Sequence, residues 1–225
     1  MLIFAGLGNP GPKYAGNRHN IGYMALDRIA GDHGFAPWRG KFQSSISEGR
    51  LGSAKVLLIK PETFMNLSGQ AVGEAMRFYK LDPQDVIVFH DELDLATGKC
   101  RVKDGGGHAG HNGLRSLHQH IGPDYTRVRL GIGHPGHKDR VSGYVLSDFA
   151  KADEAWLDDL LRGLSDGAAQ LAAGHHDKFL NAVSLRTAPP RSSTTPQKTK
   201  PTKTDAPPVE TSPASPLQRL IDKFR

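Results

Sequence analysis

Apolar positions along the chain follow two alternating patterns. Residues 2–7 form an unbroken apolar run closed by Gly8, Asn9, Pro10 and Gly11. Similar short runs fall at 56–59, ahead of Pro61, at 86–89 and at 128–132, with a weaker one at 101–103. Short apolar runs bounded by turn residues predict buried strands. Between them the spacing becomes helical. Ile21, Met24, Ala25 and Ile29 share one face, and Gly34 supplies a stop. Leu67, Ala71, Val72, Ala75, Met76 and Tyr79 form a second stripe, ended by Asp82 and Pro83. Helical spacing returns at 112–121 and 152–173. Strand–helix alternation predicts an α/β fold: a single domain with a twisted, mainly parallel (mixed) sheet and helices on both faces.

The pattern breaks near Thr187. From 187 to 216 there is no aromatic residue and no glycine, and eight of the chain's 15 prolines fall there. Such a segment buries too little apolar area to offset the entropy of ordering it. The expected organisation is a domain at 1–186 and a disordered Pro/Thr/Lys-rich tail at 187–225. Leu217, Leu220, Ile221 and Phe224 give the end of that tail a possible short helix.

Net charge is +6, but the tail carries +4 of it, so the domain is only mildly basic. All 11 histidines lie in the domain. One cysteine, Cys100, rules out an intrachain disulfide and asks for no oxidising compartment. The amino-terminal apolar run has no basic region before it and is too short for a signal peptide or a membrane span. These features point to a soluble, cytoplasmic protein with no membrane partner.

The polar clusters stand just after predicted strands, at 6–20, 61–69, 90–95, 104–113 and 131–140. In open α/β sheets, sites form beyond the carboxyl ends of the strands. Gly6, Gly8 and Gly11 spell G-x-G-x-x-G after the first strand. A dinucleotide site needs a helix opening at those glycines, whereas here Pro10 and Pro12 intervene and helical spacing starts only near Asn20. A nucleotide cofactor is therefore not expected. His108 and His111, with His90, Asp91, His134 and His137, raise the question of a metal. They sit in loops rather than on a helix that would fix two rings, and no H-E-x-x-H is present. No metal and no cofactor is expected.

Hydrolysis without a metal needs a base, a partner to orient it, and donors for the oxyanion. His19, at the mouth of the first helix, is the candidate base. Asp91, at the end of a central strand, is the candidate orienter, as in a triad whose serine is replaced by water. Asn9, Asn66 and Asn112 offer neutral amides that donate and accept. Asn66 and Asn112 also precede helices, where asparagine is a common cap, so both roles stay open. His90 is read as a structural histidine with its hydrogen bonds satisfied.

With those residues in place, the chain resembles the bacterial peptidyl-tRNA hydrolases from about Ile3 to about Ala182. The resemblance rests on GLGNPGPKYAGNRHNIG, KPETFMNLSGQAV, HDELDL, GGGHAGHNGL and RVRLGIGHPG, in that order. It implies hydrolysis of the ester between peptide and terminal ribose of peptidyl-tRNA, by a monomer without cofactor. It assigns His19 as base, Asp91 as its acid partner, and Asn9, Asn66 and Asn112 as the amides holding peptide and water. It places Tyr14 against the terminal nucleotides, Met65 in the cleft wall and His111 in the same loop as Asn112. It turns Arg101, Lys103 and Arg129 toward the acceptor stem and CCA end of the tRNA, and makes the GHPGHKDR loop a lid. Ala109 stands where the family carries glycine, and Arg101 where lysine is common. Rival readings are an RNA-binding relative without turnover and a metal-dependent hydrolase.

Overall fold

The structure is a computed structural model that describes residues 1–188; of the tail expected at 187–225, Thr187 ends a helix, and the remainder from 189, with the helix expected near its end, lies outside the described residues. Among the described residues seven strands make one sheet: β1 (Leu2–Gly6), β2 (Arg39–Lys41), β3 (Ser44–Leu51), β4 (Ala54–Pro61), β5 (Val86–Glu92), β6 (Cys100–Asp104) and β7 (Thr126–Gly131), in the order β2-β3-β4-β1-β5-β7-β6. The four central strands β4, β1, β5 and β7 are parallel, and the edges are antiparallel. The α/β fold with a mixed sheet is as expected, its parallel part confined to the centre.

Among the described residues six α-helices accompany it: α1 (Ile21–Asp32), α2 (Ser68–Tyr79), α3 (Asn112–Ile121), α4 (Val141–Val145), α5 (Glu154–Ala172) and α6 (His176–Thr187). On one face, Phe4, Leu58 and Phe89 of the sheet meet Leu26 of α1, Leu164 of α5 and Phe179 of α6. On the other, Ile3, Leu57 and Val88 meet Val72 of α2 and Leu117 of α3. The central strands β4, β1, β5 and β7 bury both of their faces, which is why their runs read as continuously apolar. None of the described helices is long and apolar enough to cross a membrane.

Four elements had left no clear pattern: the β2–β3 hairpin, α4 and α6. The hairpin turns at Phe42 and Gln43, both left-handed at φ 56° and 50°. Two-residue hairpins normally announce themselves with Asn-Gly or Asp-Gly, and this one uses neither. Phe42 is buried against Phe78 and Tyr79, with ring centroids 5.0 and 5.9 Å away, and that packing holds the strained turn. Strand β3 hides its pattern behind Ser44 and Ser47 on opposite faces, both buried and hydrogen-bonded to the backbone at Phe42 and Ala36.

One contact sets the height of α1 above the sheet. A Cβ at Gly22 would lie 2.4 Å from Phe89 O and 2.5 Å from Leu7 N, and a Cβ at Gly6 would lie 2.4 Å from Gly22 O. Backbone touches backbone, so nothing there yields to a methyl group. Gly22→Ala is expected to lower the thermal unfolding midpoint by roughly 3–10 °C, the effect of about 1–3 kcal/mol of overpacking. An unchanged midpoint in a thermal melt would mean that α1 does not ride on this contact.

Candidate active site

Strands β4, β1, β5 and β7 end on the same edge of the sheet, and the loops that follow them open into a cleft of about 1040 Å³. Asn9, Tyr14, His19, Met65, Asn66, Asp91, Lys103, His111, Asn112 and Arg129 all line it. The glycine-rich loop arrives by another route. Because β6 is antiparallel to β7, its last residue, Asp104, pairs with Thr126 at the far end of β7. Residues 105–111 must run back beside the sheet to reach the cleft, a return that the rule for parallel strands did not anticipate.

His19 lies in a short 3-10 turn (Arg18–Asn20) just ahead of α1. Its Nδ1 is 2.8 Å from Asp91 Oδ1, although the two residues are 72 positions apart. His111 Nε2 is 3.0 Å from the same oxygen. His111 is also the N-cap of α3: its Nδ1 accepts the backbone N–H groups of Gly113 and Leu114, at 3.1 and 3.3 Å. A ring nitrogen that accepts N–H bonds carries no proton, so the geometry assigns the proton of neutral His111 to Nε2, which donates it to Asp91. His19 Nδ1–H is the second donor. That leaves His19 Nε2 as the nitrogen with a free lone pair, on a side chain that opens to the cleft.

Burial pushes the Asp91 carboxyl up, but the two histidines outweigh it and hold the group well below the usual carboxylate range. Burial pushes His19 down, while the charge of Asp91 and its hydrogen bond win and hold the imidazole above its ordinary value. The ligand-capable atoms of His19, Asp91 and His111 lie within 4.8 Å of one another, spacing that a metal could use. The capping bonds on His111 Nδ1 argue against it, since Nε2 then offers a proton rather than a lone pair. The three side chains fit a hydrogen-bonded relay better than a metal cage.

Neither of the two asparagines expected as possible caps is one. The N-cap of α2 is Leu67, without a side-chain cap, and that of α3 is His111. Asn66 and Asn112 are exposed to the cleft. Asn9 is buried, and its Oδ1 accepts Met65 N–H at 2.8 Å, which leaves its NH₂ as a donor. The residue that pattern reading missed here is Asn20. Its amide grips Asn9 at both backbone atoms, receiving Asn9 N–H and donating to Asn9 O, each at 2.9 Å. A second asparagine beside His19 was the available sign.

Arg129 lines the cleft with its Nε donated to Glu92 Oε2 at 2.8 Å. Lys103 lines it too, with no ion pair among the described residues. Arg101 stands cross-strand from Arg129 but does not line the cleft. His90 departs from expectation in part: Nδ1 donates to Asp91 O at 2.7 Å, yet Nε2 is buried with no partner among the described residues. Burial first, then nearby His111, pushes its pKa down to about 3, so it is neutral.

A buried histidine–carboxylate pair, with a free ring nitrogen and neutral amides around one cleft, has the parts of a general-base hydrolase. The family model described as peptidyl-tRNA hydrolase matches residues 3–191. A peptidyl-tRNA hydrolase of Dinoroseobacter shibae is 72% identical over 235 aligned residues covering all of both chains, and one of Cereibacter sphaeroides is 74% identical over 85% of each. The crystal structure of peptidyl-tRNA hydrolase from Acinetobacter baumannii superposes with a TM-score of 0.77 at 38% identity, over 81% of this chain and 94% of that one. The chain belongs to the peptidyl-tRNA hydrolase family. The match to the Dinoroseobacter protein extends through 187–225, which the motif resemblance had left out.

The turn that presents His111 carries visible strain. His111 N–H donates to His108 O at 2.8 Å, and both central residues are left-handed, Ala109 at φ 46° and Gly110 at φ 81°. The glycine expected at position 109 would sit there freely. Alanine is disfavoured there by roughly 1–2 kcal/mol, part of which is offset by the greater freedom of glycine in the unfolded chain. Ala109→Gly is therefore expected to raise the melting midpoint by roughly 1–3 °C. A lowered midpoint would show that the methyl group contributes packing that outweighs its strain.

Proposed function

We propose that this chain hydrolyses the ester joining the peptide to the terminal ribose of peptidyl-tRNA, freeing the tRNA for reuse, with His19 as general base. The observation that carries the reading is the 2.8 Å contact between His19 Nδ1 and Asp91 Oδ1, with Nε2 left open to the cleft. A water held between Nε2 and the asparagine amides loses its proton to the imidazole. The resulting hydroxide attacks the ester carbonyl carbon. Asn9, whose oxygen is engaged by Met65, is left to donate its NH₂ toward developing negative charge. The tetrahedral intermediate then collapses, and the ribose oxygen leaves with the proton from His19. Asp91 keeps the ring in the required tautomer and stabilises its charged form.

Asn66 and Asn112 hold the peptide backbone and the water. Tyr14 and Met65 form the wall against the terminal nucleotides. Lys103, Arg129 and Arg101 meet phosphates of the acceptor stem, fixing position without reading sequence. The enzyme acts as a monomer in the cytoplasm and takes no cofactor.

Release of peptide from an N-blocked aminoacyl-tRNA, in excess EDTA, tests the assignment. His19→Ala is expected to lose on the order of 10²–10⁴-fold in kcat/KM. A loss below about threefold would remove His19 as the base, and an uncleaved tRNA that still binds wild type would leave a binding protein. The pH profile gives a second check. The base works as the neutral ring and is held above its ordinary pKa of about 6.5, so activity should rise with pH through a midpoint above that value. Asp91→Asn removes the charge that raises it, so the midpoint should move down while kcat falls. An upward move would contradict the role given to Asp91.

A further inference from the structure

Arg127 is a cation on the central sheet and only 4% exposed. No carboxylate forms an ion pair with it among the described residues. Burying an unpaired guanidinium is costly unless its protons are satisfied elsewhere. Two of its nitrogens are satisfied by backbone, Nη1 donating to Gly107 O at 2.8 Å and Nη2 to Gly105 O, while Nε is buried with no partner among the described residues. These carbonyls belong to the loop that returns from the wrong end of β6 and ends at His111. A Cβ at Gly106, itself left-handed at φ 94°, would lie 2.6 Å from Arg127 Nη2. The loop is thus shaped closely around the guanidinium, without an acidic side chain to attract it.

We infer that Arg127 is a positioning residue that pins the glycine-rich loop to β7 and thereby sets His111 against Asp91. The inference rests on the reading of His19 and Asp91 as the catalytic pair. Two bonds hold the loop at Gly105 and Gly107, and the tight turn at Ala109 and Gly110 then delivers His111. Remove the pin, and the loop is free to slide along β7. His111 then loses its bond to Asp91, and Asn112, the next residue, leaves its place on the cleft wall. The titratable groups facing His19 are Asp91 and His111, whose ring lies 4.9 Å from it. With one donor gone, the charge of Asp91 acts more fully on His19, so the His19 pKa rises.

The test is steady-state hydrolysis of an N-blocked aminoacyl-tRNA by the full chain carrying Arg127→Met, Arg127→Lys or Gly106→Ala, beside His19→Ala. Arg127→Met should lose on the order of 10²-fold in kcat, the effect of a misplaced group of about 1 Å. KM should rise by far less than kcat falls, because the peptide loses only the Asn112 contact while the phosphate contacts stay in place. The acid limb of the pH profile should move up, and the salt dependence of tRNA binding should not change. Arg127→Lys keeps the charge but cannot fork onto two carbonyls, and should recover only part of kcat. Gly106→Ala crowds both the guanidinium and the flexible end of Lys103 without removing either, so its kcat loss and its shifted acid limb are the readouts that keep the inference testable if Arg127→Met does not fold. A raised KM with kcat held and a flatter salt dependence would mean that Arg127 meets RNA phosphates directly, and would overturn it. Wild-type kcat in Arg127→Lys and Gly106→Ala, with an unmoved acid limb, would overturn it too. Activity retained in His19→Ala would instead strike at the catalytic reading beneath it.

Discussion

The site is organised around one buried charge. Asp91 is 4% exposed, deep enough that an isolated carboxylate would take up a proton rather than stay ionised. Two imidazole N–H groups converging on one oxygen, at 2.8 and 3.0 Å, keep it charged. Each histidine is fixed in turn by that demand. His111 has its other nitrogen occupied by the amino end of α3, so its proton has only one place to go. His19 donates through Nδ1 and is left with a lone pair on Nε2. The tautomers thus follow from hydrogen-bond supply, and a basic nitrogen facing the cleft is the result.

Meeting that demand requires three elements far apart in sequence. Asp91 comes from the end of β5, His19 from the turn before α1, and His111 from the head of α3. Their convergence depends on backbone contacts that larger residues would forbid. Gly22 lets the start of α1 touch the backbone of Leu7 and Phe89, and the Asn20 amide laces that same turn to Asn9. On the opposite side, Gly69 N–H donates to Ser116 Oγ at 3.0 Å, joining α2 to α3 where side chains are too short to intervene. Small residues therefore fix the distances, and the polar side chains fill the geometry they leave.

What could be read from the chain, and what could not, divides along the same line. The central strands and long helices were legible because burial on both sheet faces and on one helix face writes itself into apolar spacing. Each strand-end cluster carried its polar residues openly, so His19, Asp91 and the three cleft asparagines could be picked out singly. Their meeting was not legible, since no local pattern encodes a contact across 72 positions. His111 was seen only as a loop residue, because histidine is not a usual N-cap and its two jobs show only in three dimensions. The hairpin stayed hidden for a related reason: Phe42 and Gln43 adopt a glycine-like conformation that tertiary packing, not turn propensity, holds in place.

Charge around the cleft obeys a similar economy of partners. The small net charge of the domain says little, because what reaches a polyanion is local and unpaired. Arg129 shares its Nε with Glu92, and Arg127 gives its guanidinium to loop carbonyls. Of the cations nearby, Lys103, Arg115 and Lys138 line the cleft and form no ion pair among the described residues. Arg115 is exposed in the first turn of α3, where the helix dipole disfavours a positive charge. An unpaired cation in that unfavourable place, three residues beyond the cleft-wall Asn112 and next to a proposed phosphate-bearing substrate, is best accounted for by the field of the whole cleft. The paired arginines build the walls, and the unpaired cations supply the attraction.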